Sequence, residues 1–289
     1  MFKRQTSGSV VCPSCGSLVG VNDERCYRCG RWNPALWGFA PLLRRLGNDL
    51  GFVPIVIGGC TVLYVLSLLL TFLVYGPAAI QMQGVLGILP PANSVLLLFG
   101  ESGAAPIFVY RRWWTVFSAG WLHGNVLHIL FNMMWVRQLA PVVADMFGAG
   151  RMVIIYTIAG AAGFLLSSTA GAFGIDLPGF HGAGYTVGAS ASIMGLLGAL
   201  VHYGRRSVSS AVTSQALTYA VVLIVFGVAM PGVDNYAHAG GFAGGYLASM
   251  WLNPLRSERQ EHLIAAIGCL LLAAVSVVAS VLTPIPRFR

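Results

Sequence analysis

A serine and a histidine lie far apart in this chain, each inside a segment that otherwise reads as membrane-spanning: Gly188-Ala189-Ser190-Ala191 and Ala237-His238-Ala239-Gly240-Gly241. Polar side chains in lipid are costly and mark functional sites by default. A serine hydroxyl becomes a useful nucleophile when an adjacent base removes its proton. A Ser190/His238 pair would therefore suit acyl transfer inside the membrane, most simply proteolysis. Ala191, Gly195 and Gly198 follow the serine at helical intervals, and Gly241 and Gly245 follow the histidine. Helices lined by such small residues can approach closely enough to bring hydroxyl and imidazole within hydrogen-bonding reach.

A second polar group lies in His123-Gly-Asn-Val-Leu-His128-Ile-Leu-Phe-Asn132. His128 and Asn132 are four residues apart and share a helical face. Their imidazole and amide N–H groups could stabilise the oxyanion of a tetrahedral intermediate if that face points at Ser190. The competing explanations are hydrogen bonds that merely tie helices together, or a metal or haem site built from His123, His128 and His238. The latter lacks carboxylate partners in the membrane. Ser192 points about 200° away from Ser190 around the helix and is assigned to packing. Asp234, four residues before His238, is expected to cap the start of that helix together with Asn235 rather than to complete a triad. His181 falls in a glycine-rich loop expected over the site, and His202 and His262 fall near the opposite ends of their spans.

These side chains need a membrane scaffold, and the composition supplies one. Of 289 residues 56% are hydrophobic and 9% charged, with a mean hydropathy of +0.75, far from the roughly 25% charged usage of soluble domains. Spans are expected at 53–75, 114–136, 152–172, 188–204, 211–230, 235–253 and 262–282. The fourth and sixth are glycine-rich, as suits helices buried within a bundle. The basic residues are asymmetric. Lys3, Arg4, Arg25, Arg28, Arg31, Arg44, Arg45, Arg137, Arg151, Arg205, Arg206, Arg256 and Arg259 fall on one side, against Arg111, Arg112, Arg287 and Arg289 on the other. The positive-inside rule then puts the N-terminus in the cytoplasm and the C-terminus outside, as expected of a multi-pass protein in a bacterial cell membrane. The net charge of +8 is mostly topological, and no nucleic-acid partner is expected. The first 50 residues lack the apolar core of a cleavable signal.

Ahead of the first span, Cys12-Pro-Ser-Cys15 and Cys26-Tyr-Arg-Cys29 form two CxxC pairs, each followed by glycine. Four thiolates at this spacing suit tetrahedral zinc in a ribbon-like module, here residues 1–33. Disulfides fit a reducing cytoplasm poorly, and iron is the other metal such a site could hold. Metal binding would supply most of the folding free energy of so small a unit. Residues 34–52 read as a linker with an interfacial helix near Trp32 and Trp37. Cys60 and Cys269 sit in apolar spans as packing residues.

Together HGNVLHILFN, GASASIMGLLGA and VDNYAHAGGFAGG, on successive even-numbered spans, resemble the rhomboid family of intramembrane serine proteases over roughly residues 53–253. The resemblance implies an all-α polytopic fold: a six-helix catalytic bundle at 53–253, followed at 254–289 by an appended seventh helix and tail. It further implies Ser190 as nucleophile, His238 as general base, and His128 and Asn132 on the oxyanion side. Substrates would be single-pass transmembrane proteins cleaved near the outer leaflet, with the lipid bilayer as surroundings and no cofactor for catalysis. The outer loop from Gly76 to Arg112, with its apolar run Val95–Phe99, would lie partly in the outer leaflet. The family commonly has Trp-Arg before the second span. Here Thr115 follows Trp114, so the loop needs another brace, Arg111 or Arg112. Ala191 stands where glycine is frequent, and Met194 where an aromatic is. The alternative reading is a non-catalytic rhomboid-like adaptor that binds transmembrane clients. A cytoplasmic partner for the zinc-ribbon-like module is a further expectation, while a transporter would need an internal repeat that is not evident.

Overall fold

The computed structural model describes residues 4–41, 45–80, 87–230 and 232–284. Lys3, Arg44, Arg287 and Arg289, used in the charge comparison, lie outside them. Among the described residues seven long helices follow a small N-terminal hairpin. They are α1 (Phe52–Tyr75), α4 (Val126–Phe147), α5 (Ala149–Ala172), α6 (Ser190–Arg206), α7 (Ser210–Ala229), α8 (Asn235–Trp251) and α9 (Gln260–Leu282). Two short helices, α2 (Asn93–Phe99) and α3 (Thr115–Ser118), belong to the connection between α1 and α4. The all-helical polytopic class expected from the sequence is what the chain adopts.

Helices α1, α4, α5, α7 and α9 are long and apolar enough to cross a membrane. Helices α6 and α8 have 17 residues each, about 25 Å at the helical rise, and occupy the middle of the bundle. Nearly every residue of α6 from Ala191 to Val201 is buried. The α6–α8 and α5–α8 contacts are the most extensive among the described residues, because glycine and alanine on the facing sides allow backbone-to-backbone packing.

The second span departs from expectation. It was expected at 114–136, whereas α4 begins at Val126 and ends at Phe147. Asn125 sets the start: its side-chain oxygen accepts the His128 N–H at 2.8 Å, an N-cap that satisfies one of the helix's free donors. Pro141 lies inside α4 without ending it. Arg137, expected in the following loop, is an exposed residue of this helix, and the connection to α5 is Gly148 alone. The shift matters for chemistry, because it moves His128 and Asn132 from mid-span to the first turns of α4.

The apolar run Val95–Phe99 forms most of α2 and packs on protein. Val95, Leu96 and Phe99 are buried with Leu122 against Leu63 and Leu70 of α1 and Val277 of α9. At the opposite end of the bundle, the Arg151 guanidinium donates to the carbonyls of Asn253 and Arg256, and Glu258 accepts the Arg151 N–H at 2.9 Å. These bonds tie the start of α5 to the α8–α9 connection.

In the N-terminal module, β1 (Ser9–Val11) pairs antiparallel with β2 (Leu18–Gly20), Val10 opposite Val19. Val10, Val19, Val21 and Ala35 bury themselves around Cys12 and Cys26. After this module the chain makes a 3-10 turn at Leu36–Gly38, and Ala40 and Pro41 are helical; residues 42–44 of the interfacial helix expected there lie outside the described residues. Trp32 and Trp37 stack edge to face at 5.5 Å and remain exposed.

Candidate active site

Ser190 is the first residue of α6 and His238 the fourth of α8. The register of the two helices places them at the same end. A Cβ built on Gly241 would lie 2.1 Å from the Ala191 carbonyl oxygen, and one on Gly245 would lie 2.1 Å from that of Gly195. The helices therefore run in parallel with their backbones touching, and one turn before Gly241 the chain reaches His238 at the level of Gly188–Ser190. His238 is buried, while Ser190 is partly accessible. Among the described residues Ser190 Oγ and His238 are not joined by a hydrogen bond, and His238 Nδ1 has no partner. Catalytic hydrogen bonds are commonly long in substrate-free proteins and tighten when substrate binds.

The His128 ring closes the third side. Its Nε2 would lie 2.5 Å from a Cβ at Gly188, whose φ of +124° also favours glycine. His128 Nδ1 accepts the Gly124 N–H at 3.4 Å, so in the neutral ring the proton sits on Nε2, facing the Gly188–Ser190 turn. Asn132 spends one amide hydrogen on the His128 carbonyl at 2.8 Å and keeps the other. The Nε2–H and that remaining amide N–H can act as donors to a developing negative charge. His123 stacks edge to face on His128, centroids 5.1 Å apart. Burial holds its imidazole well below the usual histidine range, so it packs as a neutral ring.

Asp234 caps α8, accepting the Ala237 N–H at 2.9 Å. Its other oxygen accepts the Ser167 hydroxyl at 2.6 Å, and among the described residues no hydrogen bond joins the carboxylate to the His238 ring. Asn235 instead holds the glycine-rich loop, donating to the Gly179 carbonyl at 2.8 Å. Ser167, which also accepts the Ala183 N–H at 3.3 Å, escapes sequence reasoning, since nothing in the run Ser167-Ser168-Thr169 singles it out. In that loop β3 (Asp176–Leu177) pairs with β4 (Phe180–His181), and exposed His181 meets Asp176 at 3.3 Å. Ser192 lies against Gly160 of α5, as its packing assignment requires.

Residues 110–254, half of the chain, match the family model described as a Rhomboid domain. The chain belongs to the rhomboid family. It is 31% identical over 170 residues to RHOMBOID-like protein 7 of Arabidopsis thaliana, covering 57% of this chain and 51% of that one. To RHOMBOID-like protein 1 of the same plant it is 32% identical over 168 residues, 55% and 40% of the two chains. To the Rhomboid protease GluP of Bacillus subtilis (strain 168) it is 28% identical over 185 residues, 63% and 34%. The chain thus spans about half the length of these relatives or less. Its rhomboid domain contains α4 to α8, and with them all four residues singled out for catalysis.

Outside the rhomboid domain, the four cysteines of the N-terminal module converge. Cys12 and Cys29 Sγ are 3.7 Å apart, Cys15 and Cys26 Sγ 3.5 Å, and all four lie within 4.8 Å of one another. Tetrahedral zinc with Zn–S near 2.3 Å has S···S edges of about 3.8 Å, so the thiols fit a zinc ion. They are free thiols. The two knuckles repeat one geometry, with Gly16 N–H donating to Cys12 and Gly30 N–H to Cys26, both at 2.9 Å, and both glycines at positive φ, 74° and 72°.

Proposed function

We propose that this rhomboid is an intramembrane serine endopeptidase that cuts transmembrane helices of single-pass proteins near the outer leaflet. The supporting observation is the backbone contact of Gly241 with Ala191, which puts the first turns of α6 and α8 side by side beneath the His128 imidazole. In the proposed reaction His238 takes the Ser190 Oγ proton as Oγ attacks the scissile carbonyl carbon. The oxyanion is met by His128 Nε2–H, the free Asn132 amide hydrogen and the Ser190 N–H. His238 then delivers its proton to the leaving amine as the C–N bond breaks. Water, activated in turn by His238, hydrolyses the acyl ester and restores Ser190. These steps need no cofactor. The name of the Bacillus relative as a protease agrees with this activity.

The short α6, with Ser190 partly accessible at its start, supports a nucleophile below the membrane surface that water must reach from the outer side. Substrates are expected to unwind there, since an intact helix hides its peptide bonds. The charge bias supports a cytoplasmic N-terminus. Cys12, Cys15, Cys26 and Cys29 would hold a structural zinc that supplies folding energy to their module, leaving its outer surface for a cytoplasmic partner.

The deciding experiment is cleavage of a single-pass test substrate by purified protein in lipid vesicles. Wild type is compared with Ser190→Ala and His238→Ala, with folding checked by thermal melts. Cleavage by wild type alone is expected. Substrate binding without cleavage, across several substrates, would replace this reading with that of a client-binding adaptor.

A further inference from the structure

Arg112 is completely buried, yet no carboxylate pairs with it among the described residues. Its Nη1 donates to the Leu97 carbonyl at 2.7 Å and its Nη2 to the Ser280 carbonyl. Leu97 lies in the last turn of α2 and Ser280 in the last turn of α9. The final carbonyls of a helix lack the usual partner one turn on and carry the negative end of the dipole; that of Leu97 is shared with the Gly100 N–H at 3.2 Å. One planar guanidinium thus bridges two helix C-termini at once, a task that suits its rigid fork of donors. Trp114 Nε1 donates to Ser280 Oγ at 3.0 Å. A Cβ on Gly100 would come within 2.6 Å of that same oxygen. The end of α9 is therefore clasped to the outer loop at three neighbouring points.

From the clasp a set of backbone bonds reaches Gly188, two residues before the serine. The Arg112 N–H donates to the Pro106 carbonyl at 2.8 Å. Ser102 and Thr186 exchange N–H···O bonds of 3.1 and 2.8 Å, Ala104 donates to Ala183 at 2.9 Å, and Gly188 donates to Ala119 at 3.0 Å. The segment 183–188 that delivers Ser190 is thus held on both sides by the loop that Arg112 anchors.

We propose that Arg112 is a positioning residue for the Ser190 site, and that through it α9 is a working part of that site rather than an appended anchor. The kinetic side of this proposal rests on the protease reading; the structural side does not. Full-length protein in lipid nanodiscs would be compared as wild type, Arg112→Met, Arg112→Lys, Ser280→Leu and Arg112→Met/Ser280→Leu. Ser280→Leu keeps the guanidinium but crowds Gly100 and pushes the helix end away. Amide hydrogen exchange is expected to rise at least about tenfold in both 97–105 and 183–188 for Arg112→Met and Ser280→Leu. Arg112→Lys should fall between wild type and Arg112→Met, and the double variant should be no worse than either single one, because both cut the same link. For the test substrate, kcat should drop about tenfold or more with KM nearly unchanged. Exchange at 183–188 that stays at the wild-type level in all folded variants would overturn the proposal. Should Arg112→Met not fold, Arg112→Lys and Ser280→Leu carry the comparison. Wild type that cleaves nothing, while the exchange pattern changes as expected, would leave the clasp standing and sink the protease reading.

Discussion

Gly241 meets Ala191 backbone to backbone, so closely that a methyl group on the glycine would overlap the alanine carbonyl at 2.1 Å. A backbone oxygen cannot rotate aside as a side chain can. Gly241→Ala is therefore expected to part α6 from α8 and to carry His238 away from Ser190. Misplacement of about 1 Å can cost on the order of a hundredfold in rate. Paired assays of cleavage rate and melting temperature should show activity falling by that order in protein that still folds. Gly268, by contrast, has open space around its Cβ position, and Gly268→Ala should leave activity unchanged. Wild-type cleavage by Gly241→Ala would mean that the helix contact does not set the dyad.

The tautomer of His128 follows from the Gly124 N–H on its Nδ1, which leaves Nε2–H as the donor beside Gly188. Asn132 offers one free amide hydrogen from the same face. Removing an oxyanion donor costs about 10²–10³ in kcat, so His128→Ala and Asn132→Ala should each lower kcat into that range with KM little changed. Asn132→Asp, which keeps the size and loses the donor, should behave like Asn132→Ala. A rise in KM with unchanged kcat would instead assign both residues to substrate binding.

Ser190, His238 and the glycine seam between them are legible in the sequence because each signal is a side-chain type, or its absence, recurring at the helical interval. The cysteine module is legible for a similar reason, since two CxxC pairs need only local turns to converge. The start of α4 is not, because apolar Trp113 to Leu122 satisfies a hydropathy window as well as a true span does, and the Asn125 cap is a single polar residue. Arg112 and its partners are the least legible. Both partners are carbonyl oxygens, 15 and 168 residues away, and every residue has a carbonyl.

The four thiols already stand at distances close to those a zinc ion requires, so the module should bind one metal ion per chain, measurable by elemental analysis of the purified protein. Cys12→Ser or Cys26→Ser removes a ligand from the buried side and should abolish binding. Because metal affinity in such knuckles is mostly folding free energy, chelation should expose residues 4–33 to proteolysis while α1 to α9 stay protected. Two disulfides in non-reducing peptide maps, with no metal, would displace the zinc reading.

Glu101 sits in the α2–α3 connection, 4% exposed, with Oε2 unpartnered among the described residues, and burial raises its carboxyl pKa to about 8. The sign of the pH effect follows from the protons bound. Between the unfolded value near 4.5 and the folded value near 8, the folded protein holds a proton that the unfolded chain has lost. Stability should therefore fall as pH rises through that window, by up to about 1.4 kcal/mol per pH unit from this group. It should level off above pH 8, where both states are ionised. Glu101→Gln keeps the shape and cannot ionise, so its melting temperature should match wild type near pH 4.5 and exceed it increasingly up to pH 8. Parallel melting curves for the two proteins across that range would mean that Glu101 reaches solvent and ionises freely in the folded state.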